Sequence, residues 1–401
     1  MNTNAPHDAS GQFIGYLYQA LASLLLLFEN KEPKSQICLE KFDDVAFVEK
    51  DRPSVMIQTK HQLHKQGNLL DTSVDLWRTI QSWCDAIKAD SCNLADTDFI
   101  IITTALVPEG TASSYLSKSH IRDSAKALTI LQNVAKSHGG QTNKKFYESF
   151  LSLDLSLQDH LVSHTYVYGN SPAIYDIKKD LMRYVRCATL PIHEEKVYEK
   201  TIGWWFASII ECLCSPEPVY INRDQLQSEL YDIGSQYKAD SLPIDIDFYY
   251  DPSDDEMDEL SPENRIFIEQ LKLISISNDR LKRCIRDYYN AFRQRSLWVR
   301  EQLLFVNELA EYEAALIDEW NRLYLIMKEN LEDYGSELNS NHKEKAGHSL
   351  FGKIEELNKP IRERVNKTFI MRGTYHELAN QLKVGWHVDF MDRLCHLLGG
   401  N

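Results

Sequence analysis

The sequence lacks any long hydrophobic run. Its longest apolar stretch, Ala20–Phe28, is interrupted by Ser23 and falls well short of the ~18–20 apolar residues that a membrane-spanning helix needs. The N-terminal segment MNTNAPHDASGQ has no basic region followed by an apolar one, so it does not resemble a signal peptide. We therefore predict a cytoplasmic protein that has no membrane partner.

Cysteine is also sparse. The chain has 8 cysteines in 401 residues, and the close pair Cys212 and Cys214 has no second cysteine or histidine cluster at zinc-ligand spacing. This pattern excludes a disulfide framework and predicts reduced cysteines in the core.

Basic residues are fewer than acidic ones. The chain has 44 basic and 59 acidic residues and a formal net charge of −15, which argues against a constitutive nucleic-acid binder because phosphate binding needs a basic surface. If the protein acts on DNA, its basic groove must be local, or a partner or an oligomer must supply it. The sequence also has no GxxxxGK[ST] phosphate loop, so any ATPase activity belongs to another chain.

The apolar patterns that are present predict a helix, three strands, a second helix and a further strand. Helical spacing and period-two alternation give these bounds. The predicted elements are a helix at Gly15–Glu29, strands at Gln36–Phe42, Val45–Glu49 and Val55–Lys60, a helix opening at Thr72 or Ser73, and a fully buried strand at Phe99–Thr103.

The pattern in the rest of the chain is mostly helical. Residues 119–214 have a helical pattern, Asp247–Glu263 is an acidic stretch with two prolines that predicts a solvated, mobile loop, and Asn264–Tyr334 predicts a long helical region. We therefore predict an α/β N-terminal domain at 1–215, a connecting segment at 216–263 and a mainly α-helical C-terminal domain at 264–401.

One stretch, Ile37–Gln62, carries more polar residues than a hairpin needs. Gln58 and Lys60 project to the same side of their predicted strand, while Ile57 and Thr59 project to the other. A turn at Asp51–Ser54 would bring Asp44 back beside them.

This predicted cluster of acid, amide and amine suits phosphodiester hydrolysis. A carboxylate can hold a hard divalent cation, and a lysine can orient the attacking water or offset charge on phosphorus. Spacing alone favours the alternative, because short patterns of acids and lysine are common: Glu40, Asp43 and Asp44 form a solvated turn, and Lys60 is an edge-strand residue that opposes aggregation.

The order of the elements favours the first interpretation. The segments GYLYQ (Gly15–Gln19), LEKFDDV (Leu39–Val45), IQTKH (Ile57–His61) and DLWRTIQSW (Asp75–Trp83) resemble the restriction-endonuclease-like PD-(D/E)xK superfamily in its Gln-x-Lys variant. More narrowly, they resemble the nuclease domain of bacterial anti-phage double-stranded-DNA endonucleases. These occur as effectors of cyclic-oligonucleotide (CBASS) systems and of Lamassu, or ABC-three-component, systems.

The C-terminal half separates these two kinds of system. The segments at Asp287–Glu301 and Arg372–Phe390 resemble the C-terminal domain of ABC-three-component effectors. That resemblance implies an SMC-like ATPase partner and a small third subunit, and we expect the chain to form a homo-oligomer on activation.

The resemblance also implies roles for particular residues. Asp44 would be the main ligand of Mg²⁺ or Mn²⁺, Gln58 a secondary ligand, Glu40 an additional acid and Lys60 the catalytic lysine. Two points stay open. One is whether the site is active with Gln58 in place of the commoner acid, and the other is whether Asp43 or Asp44 is the main ligand.

On the substrate side, the resemblance implies that Gln19 faces the site from the first helix, and His61 is a candidate contact with the phosphate backbone. The predicted function is a metal-dependent DNA endonuclease that is idle until it is assembled. The alternatives are an inactive structural adaptor and a nuclease for RNA or single strands.

Overall fold

The computed structural model describes residues 10–32, 34–61, 67–118, 122–137, 142–217, 219–246 and 265–399. The chain divides into two compact units, 1–235 and 236–401. The first is a mixed α/β region with a six-stranded sheet and the second is mainly helical, so the predicted fold class is confirmed. The boundaries predicted at 215 and 263 stay predictions, and the acidic stretch Asp247–Glu263 lies outside the described residues.

The sheet of the N-terminal unit has the strand order β5-β4-β3-β2-β1-β6. Its strands are β1 (Gln36–Leu39), β2 (Val45–Glu49), β3 (Arg52–Lys60), β4 (Asp98–Thr103), β5 (Thr165–Tyr168) and β6 (Ile221–Asn222). The first three strands and β6 pair antiparallel, whereas β3, β4 and β5 pair parallel. The hairpin that carries the predicted site therefore lies in the interior of the sheet.

Nine helices of this unit are described. They are α1 (Ser10–Glu29), α2 (Val74–Lys88), α3 (Ala112–Tyr115), α4 (Ser124–Ser137), α5 (Lys144–Leu151), α6 (Leu155–Ser163), α7 (Ile174–Val185), α8 (Glu194–Cys214) and α9 (Arg223–Ser235). The α2 helix packs Trp77, Ile80 and Trp83 against the core, as its apolar periodicity predicts. Ser73 is its N-cap residue but makes no capping hydrogen bond, because its hydroxyl accepts the backbone N–H of Leu70 at 2.8 Å.

The hairpin differs from the prediction at both of its turns. Strand β1 ends at Leu39 because Glu40 has φ 56°, and the N–H of Glu40 donates to the carbonyl of Asp44 at 3.2 Å. The second turn lies at Lys50 and Asp51, which have φ values of 50° and 63°, so β3 begins earlier than Val55. Short side-chain patterns do not reveal the left-handed Glu40 and Lys50, because a positive φ is uncommon for these residue types.

Two further strand predictions need correction. Strand β4 alternates between half-buried and buried positions instead of being fully buried. Strand β5 lies inside the region predicted as helical, and its partner is the distant β4. Parallel pairing of this kind depends on long-range contacts that a local pattern does not contain.

Six helices of the C-terminal unit are described. They are α10 (Ile266–Lys272), α11 (Asn278–Arg300), α12 (Glu308–Glu332), α13 (Ser340–Glu356), α14 (Thr368–Asn380) and α15 (Phe390–Leu394). The predicted continuous region Asn264–Tyr334 is interrupted twice, first at the left-handed Ser275 and then between the left-handed residues Gln302 and Asn307. No helix in the described part of either unit is long and apolar enough to cross a membrane.

Candidate active site at the β2–β3 corner

The pairing of β2 with β3 places Asp44 beside Gln58. Val45, the first residue of β2, pairs with Ile57, so the residue before Val45 lies level with the residue after Ile57. The Gln58 amide donates to Asp44 Oδ1, and the backbone N–H of Thr59 donates to Asp44 Oδ2 at 2.9 Å. Both carboxylate oxygens of Asp44 are thus held in fixed directions.

Gln58 also links Asp44 to Lys60. The Lys60 ammonium donates to Gln58 Oε1 at 2.8 Å, as expected for side chains two residues apart on one strand face. The Thr79 hydroxyl of α2 donates to the same oxygen at 3.2 Å. Because Gln58 is only 7% exposed, its amide is a buried bridge between the carboxylate and the ammonium group.

Glu40 joins this group through α1. The Gln19 amide donates to Glu40 Oε1 at 2.9 Å and to the Asp44 carbonyl at 2.6 Å. The structure therefore brings together all four residues predicted to be catalytic. We call Glu40, Asp44, Gln58 and Lys60 the polar corner.

Asp43 and Asp44 have different surroundings. Asp43 is 8% exposed and accepts the indole N–H of Trp83 at 2.6 Å. Burial is the main cause that raises the pKa of Asp43 to about 7, against the opposing effect of the Trp83 hydrogen bond. The geometry therefore favours Asp44 as the acid of the polar corner and makes Asp43 an interior anchor for α2.

The two predicted substrate contacts lie next to the polar corner. Gln19 is 5% exposed and its amide is engaged as described above. His61 follows Lys60, its ring centroid lies 4.7 Å from that of Tyr18, and burial lowers its pKa. Contact of Gln19 or His61 with a substrate stays a prediction.

Sequence reasoning missed the supporting residues. Strand parity assigned Thr59 to the face opposite Gln58, yet its hydroxyl donates to Asp44 Oδ2 at 3.2 Å. It does so because Asp44 lies in the turn before β2 and not within the pleated strand. For Thr79, the available signal was a polar residue at a buried position on the apolar face of α2.

The oxygen donors of the polar corner fit a hard, hydrated cation. Carboxylate and amide oxygens are the ligands that Mg²⁺ and Mn²⁺ prefer, and Asp44, Glu40 and Gln58 supply them. Within the described ranges no group of three or more His, Cys, Asp or Glu residues could hold a metal ion. A cation here would therefore retain several waters, as Mg²⁺ commonly does.

Comparison with known proteins gives its clearest result in the C-terminal unit. Residues 267–394 match the family model described as C-terminal domain 7 of the ABC-three component (ABC-3C) systems. A search among curated proteins found no match.

Among solved structures, the Cap4 SAVED/CARF-domain containing receptor of Acinetobacter baumannii is 11% identical, with a TM-score of 0.30. The match covers 71% of this chain and 60% of the receptor chain. A TM-score this low does not establish a shared fold. The predicted resemblance of the C-terminal half to a C-terminal domain of ABC-three-component systems is confirmed, for residues 267–394.

Proposed function

We propose that this protein is the nuclease subunit of a Lamassu-type ABC-three-component defence system, and that it hydrolyses phosphodiesters of double-stranded DNA at the polar corner. The observation that carries the proposal is the hydrogen-bonded series Asp44–Gln58–Lys60 at the end of the β2–β3 hairpin. The match of residues 267–394 supports the assignment to a three-component system.

Each residue of the polar corner has a separate task in this proposal. Asp44, with Glu40, would hold Mg²⁺ or Mn²⁺, and the amide oxygen of Gln58 would join them as a ligand in place of its hydrogen bond from Thr79. Such an ion, when bound, supplies a Lewis acid that polarises the phosphate. The Lys60 ammonium, held by Gln58, orients the attacking water and offsets the negative charge that develops on the phosphate oxygens.

The test is a Lys60→Ala substitution in the full chain, assembled with the partner subunits that we expect: an SMC-like ATPase and a small third subunit. Cleavage of a supercoiled plasmid in Mg²⁺ should fall by about 10²-fold or more, since a positioned acid–base group typically contributes ~10²–10⁴-fold. The matched control is Lys353→Ala, because Lys353 is exposed on α13 and has no ion pair among the described residues.

A second function is favoured by one observation. Gln58 stands where an acid is commoner, and the described residues hold no three-ligand metal cluster, which suits a catalytically inactive adaptor of the same complex. Unchanged plasmid restriction by the Lys60→Ala protein in cells would support the adaptor and reject the enzyme. Parallel digests of plasmid, single-stranded DNA and RNA by the active complex would separate the possible substrates.

A further inference from the structure

Helix α11 is strongly basic in an acidic protein. Its sequence, NDRLKRCIRDYYNAFRQRSLWVR, has seven basic residues and two acidic ones, whereas the whole chain has a net charge of −15. Such local asymmetry needs a physical account, since crowded like charges on one helix repel each other.

Six of the seven basic residues of α11 fall into two groups, and the exposed Arg283 lies outside both. Two point towards other helices and are neutralised there: Arg295 pairs with Glu313 and Glu377, and Arg280 with Glu355. The carboxylates that pair with these two arginines come from other helices of the same unit, so both arginines hold helices together and are not part of a binding surface.

The second group forms one line along the helix. Lys282, Arg286, Arg293 and Arg300 follow one another at intervals of four, seven and seven residues, close to whole helical turns of ~3.6 residues. The buried positions of α11, among them Cys284, Ala291 and Trp298, lie on the other side of the helix. We call Lys282, Arg286, Arg293 and Arg300 the basic stripe, and its length is about 27 Å at ~1.5 Å per residue.

The C-terminal end of the basic stripe, at Arg293 and Arg300, is exposed to solvent. The Arg300 side chain is 72% exposed, with Glu301 at 4.0 Å. Arg293 is exposed and makes no hydrogen bond or ion pair with any described residue. Lys282 is exposed and Arg286 half-buried, and both already interact with other groups of the chain.

A further arginine reinforces the middle of the stripe. Tyr289 lies between Arg286 and Arg293 on the same side of α11, and Arg265 donates to its hydroxyl at 3.0 Å. The Arg265 guanidinium lies 5.2 Å from the centre of the Tyr289 ring. Positive charge therefore continues across the gap of seven residues.

We propose that the basic stripe binds the phosphate backbone of a DNA duplex. Arginine guanidinium groups match phosphate geometry, and about 27 Å corresponds to about eight base pairs at ~3.4 Å per step. A line of single positive charges suits a polyanion of regular charge spacing. The choice of DNA rests on the proposed function, but the site lies in the C-terminal unit and is separate from the polar corner.

The experiment measures binding of the full chain to a fluorescein-labelled duplex of about 30 base pairs, longer than the stripe, by fluorescence anisotropy at several salt concentrations with EDTA present. The test variant is R293E/R300E. The matched control is K345E/K353E, which changes charge equally at exposed lysines of α13 in the same unit.

The test variant should bind at least tenfold more weakly. The slope of log K against log salt should be smaller in magnitude by about 2, because each lost phosphate contact removes ~0.9. The control should change affinity by less than about twofold, and R293K/R300K should keep most of the binding since it retains the charge.

Three results would overturn the proposal. In the first, the unsubstituted chain would not bind the duplex at low salt, and in the second, R293E/R300E and the control would weaken binding equally. In the third, R293E/R300E would no longer bind the partner subunits while its affinity for DNA stayed unchanged. The last would identify an interface with an acidic protein. Melting curves of all variants show whether they are folded. A Lys60→Ala chain that binds DNA without cleaving it would separate this inference from the proposed function.

Discussion

At the scale of single residues, Asp43 and Asp44 show how adjacent acids acquire different roles. Asp44 accepts from Gln58 and Thr59 in the polar corner, whereas Asp43 accepts the buried N–H of Trp83. Under the proposed function the half-buried Asp44 is the acid that meets a cation, whereas Asp43 holds α2 through Trp83.

This difference predicts that cleavage depends on Asp44 and not on Asp43. Asp44→Asn should reduce plasmid cleavage by the assembled complex about 10²-fold. It should also lower the free energy of unfolding by about 1–3 kcal/mol, because one of the two oxygens that accept from Gln58 and Thr59 becomes an N–H donor. Asp43→Ala should lower that free energy by about 1–3 kcal/mol, because the Trp83 N–H loses its acceptor. Urea unfolding and plasmid digestion measure the two quantities.

The control is Asp43→Asn, which keeps an acceptor for Trp83. It should retain most of the cleavage activity. If Asp43→Asn removed cleavage as completely as Asp44→Asn, then Asp43 would be the metal-holding acid, and the assignment of that role to Asp44 would be wrong.

A buried histidine makes the C-terminal unit sensitive to acid. His376 is 2% exposed, its Nδ1 has no hydrogen-bond partner among the described residues, and burial lowers its pKa to about 3. The unfolded chain, with a pKa of about 6.5, therefore binds the proton first as the pH falls. The contribution of the neutral His376 to the free energy of unfolding is therefore fully present above about pH 6.5, and it decreases as the pH falls from about 6.5 to about 3.

We therefore expect the free energy of unfolding to fall by about 2 kcal/mol from pH 7 to pH 5 because of His376. Since its neighbours include the rings of Phe267 and Phe351, a His376→Phe protein should lose that part of the pH dependence. Urea unfolding at the two pH values measures it, with the exposed His396→Phe as control. Equal pH dependence in the unsubstituted and His376→Phe proteins would show that His376 does not cause it.

At the scale of elements, the contact between α11 and α14 depends on a glycine. A Cβ atom on Gly373 would meet the carbonyl of Asp287 and the Cβ of Ala291, both on α11. Gly373→Ala should therefore destabilise the protein by about 1–3 kcal/mol, as overpacking usually does.

Gly352, in the interior of α13, supplies the matched control because a Cβ atom added there would have no other atom within 4 Å. At this position, Gly→Ala should stabilise the protein by about 0.5–1 kcal/mol through the higher helix propensity of alanine. Thermal melting of both variants measures the changes, and the same sign for both would contradict the close approach of α11 and α14.

The sequence predicted the elements that have strong local patterns. The apolar face of α2 and the parity of Gln58 and Lys60 required only neighbouring residues, and they placed the polar corner correctly on the hairpin. The parallel strand β5 and the bridge from Gln19 depend on contacts between residues far apart in the chain. Such contacts become visible only when the chain is folded.

At the scale of the whole molecule, charge and assembly are connected. A chain with a net charge of −15 is repelled by DNA at long range, and only local positive surfaces such as the basic stripe oppose that repulsion. An arrangement that brings several chains to one duplex raises the effective concentration of each site without any new contact. Under the proposed function, both effects favour a nuclease that is idle as a single chain.

We therefore predict that cleavage depends on assembly. At equal concentration of the chain, plasmid cleavage in Mg²⁺ should be at least about tenfold faster with the partner subunits than without them, given the ~10²–10⁴-fold that multivalency can contribute. The Lys60→Ala complex controls for contaminating nucleases, and light scattering reports the oligomeric state in each sample. A purified monomer that cuts as fast as the complex would place the regulation elsewhere, because neither repulsion nor assembly would then limit the reaction.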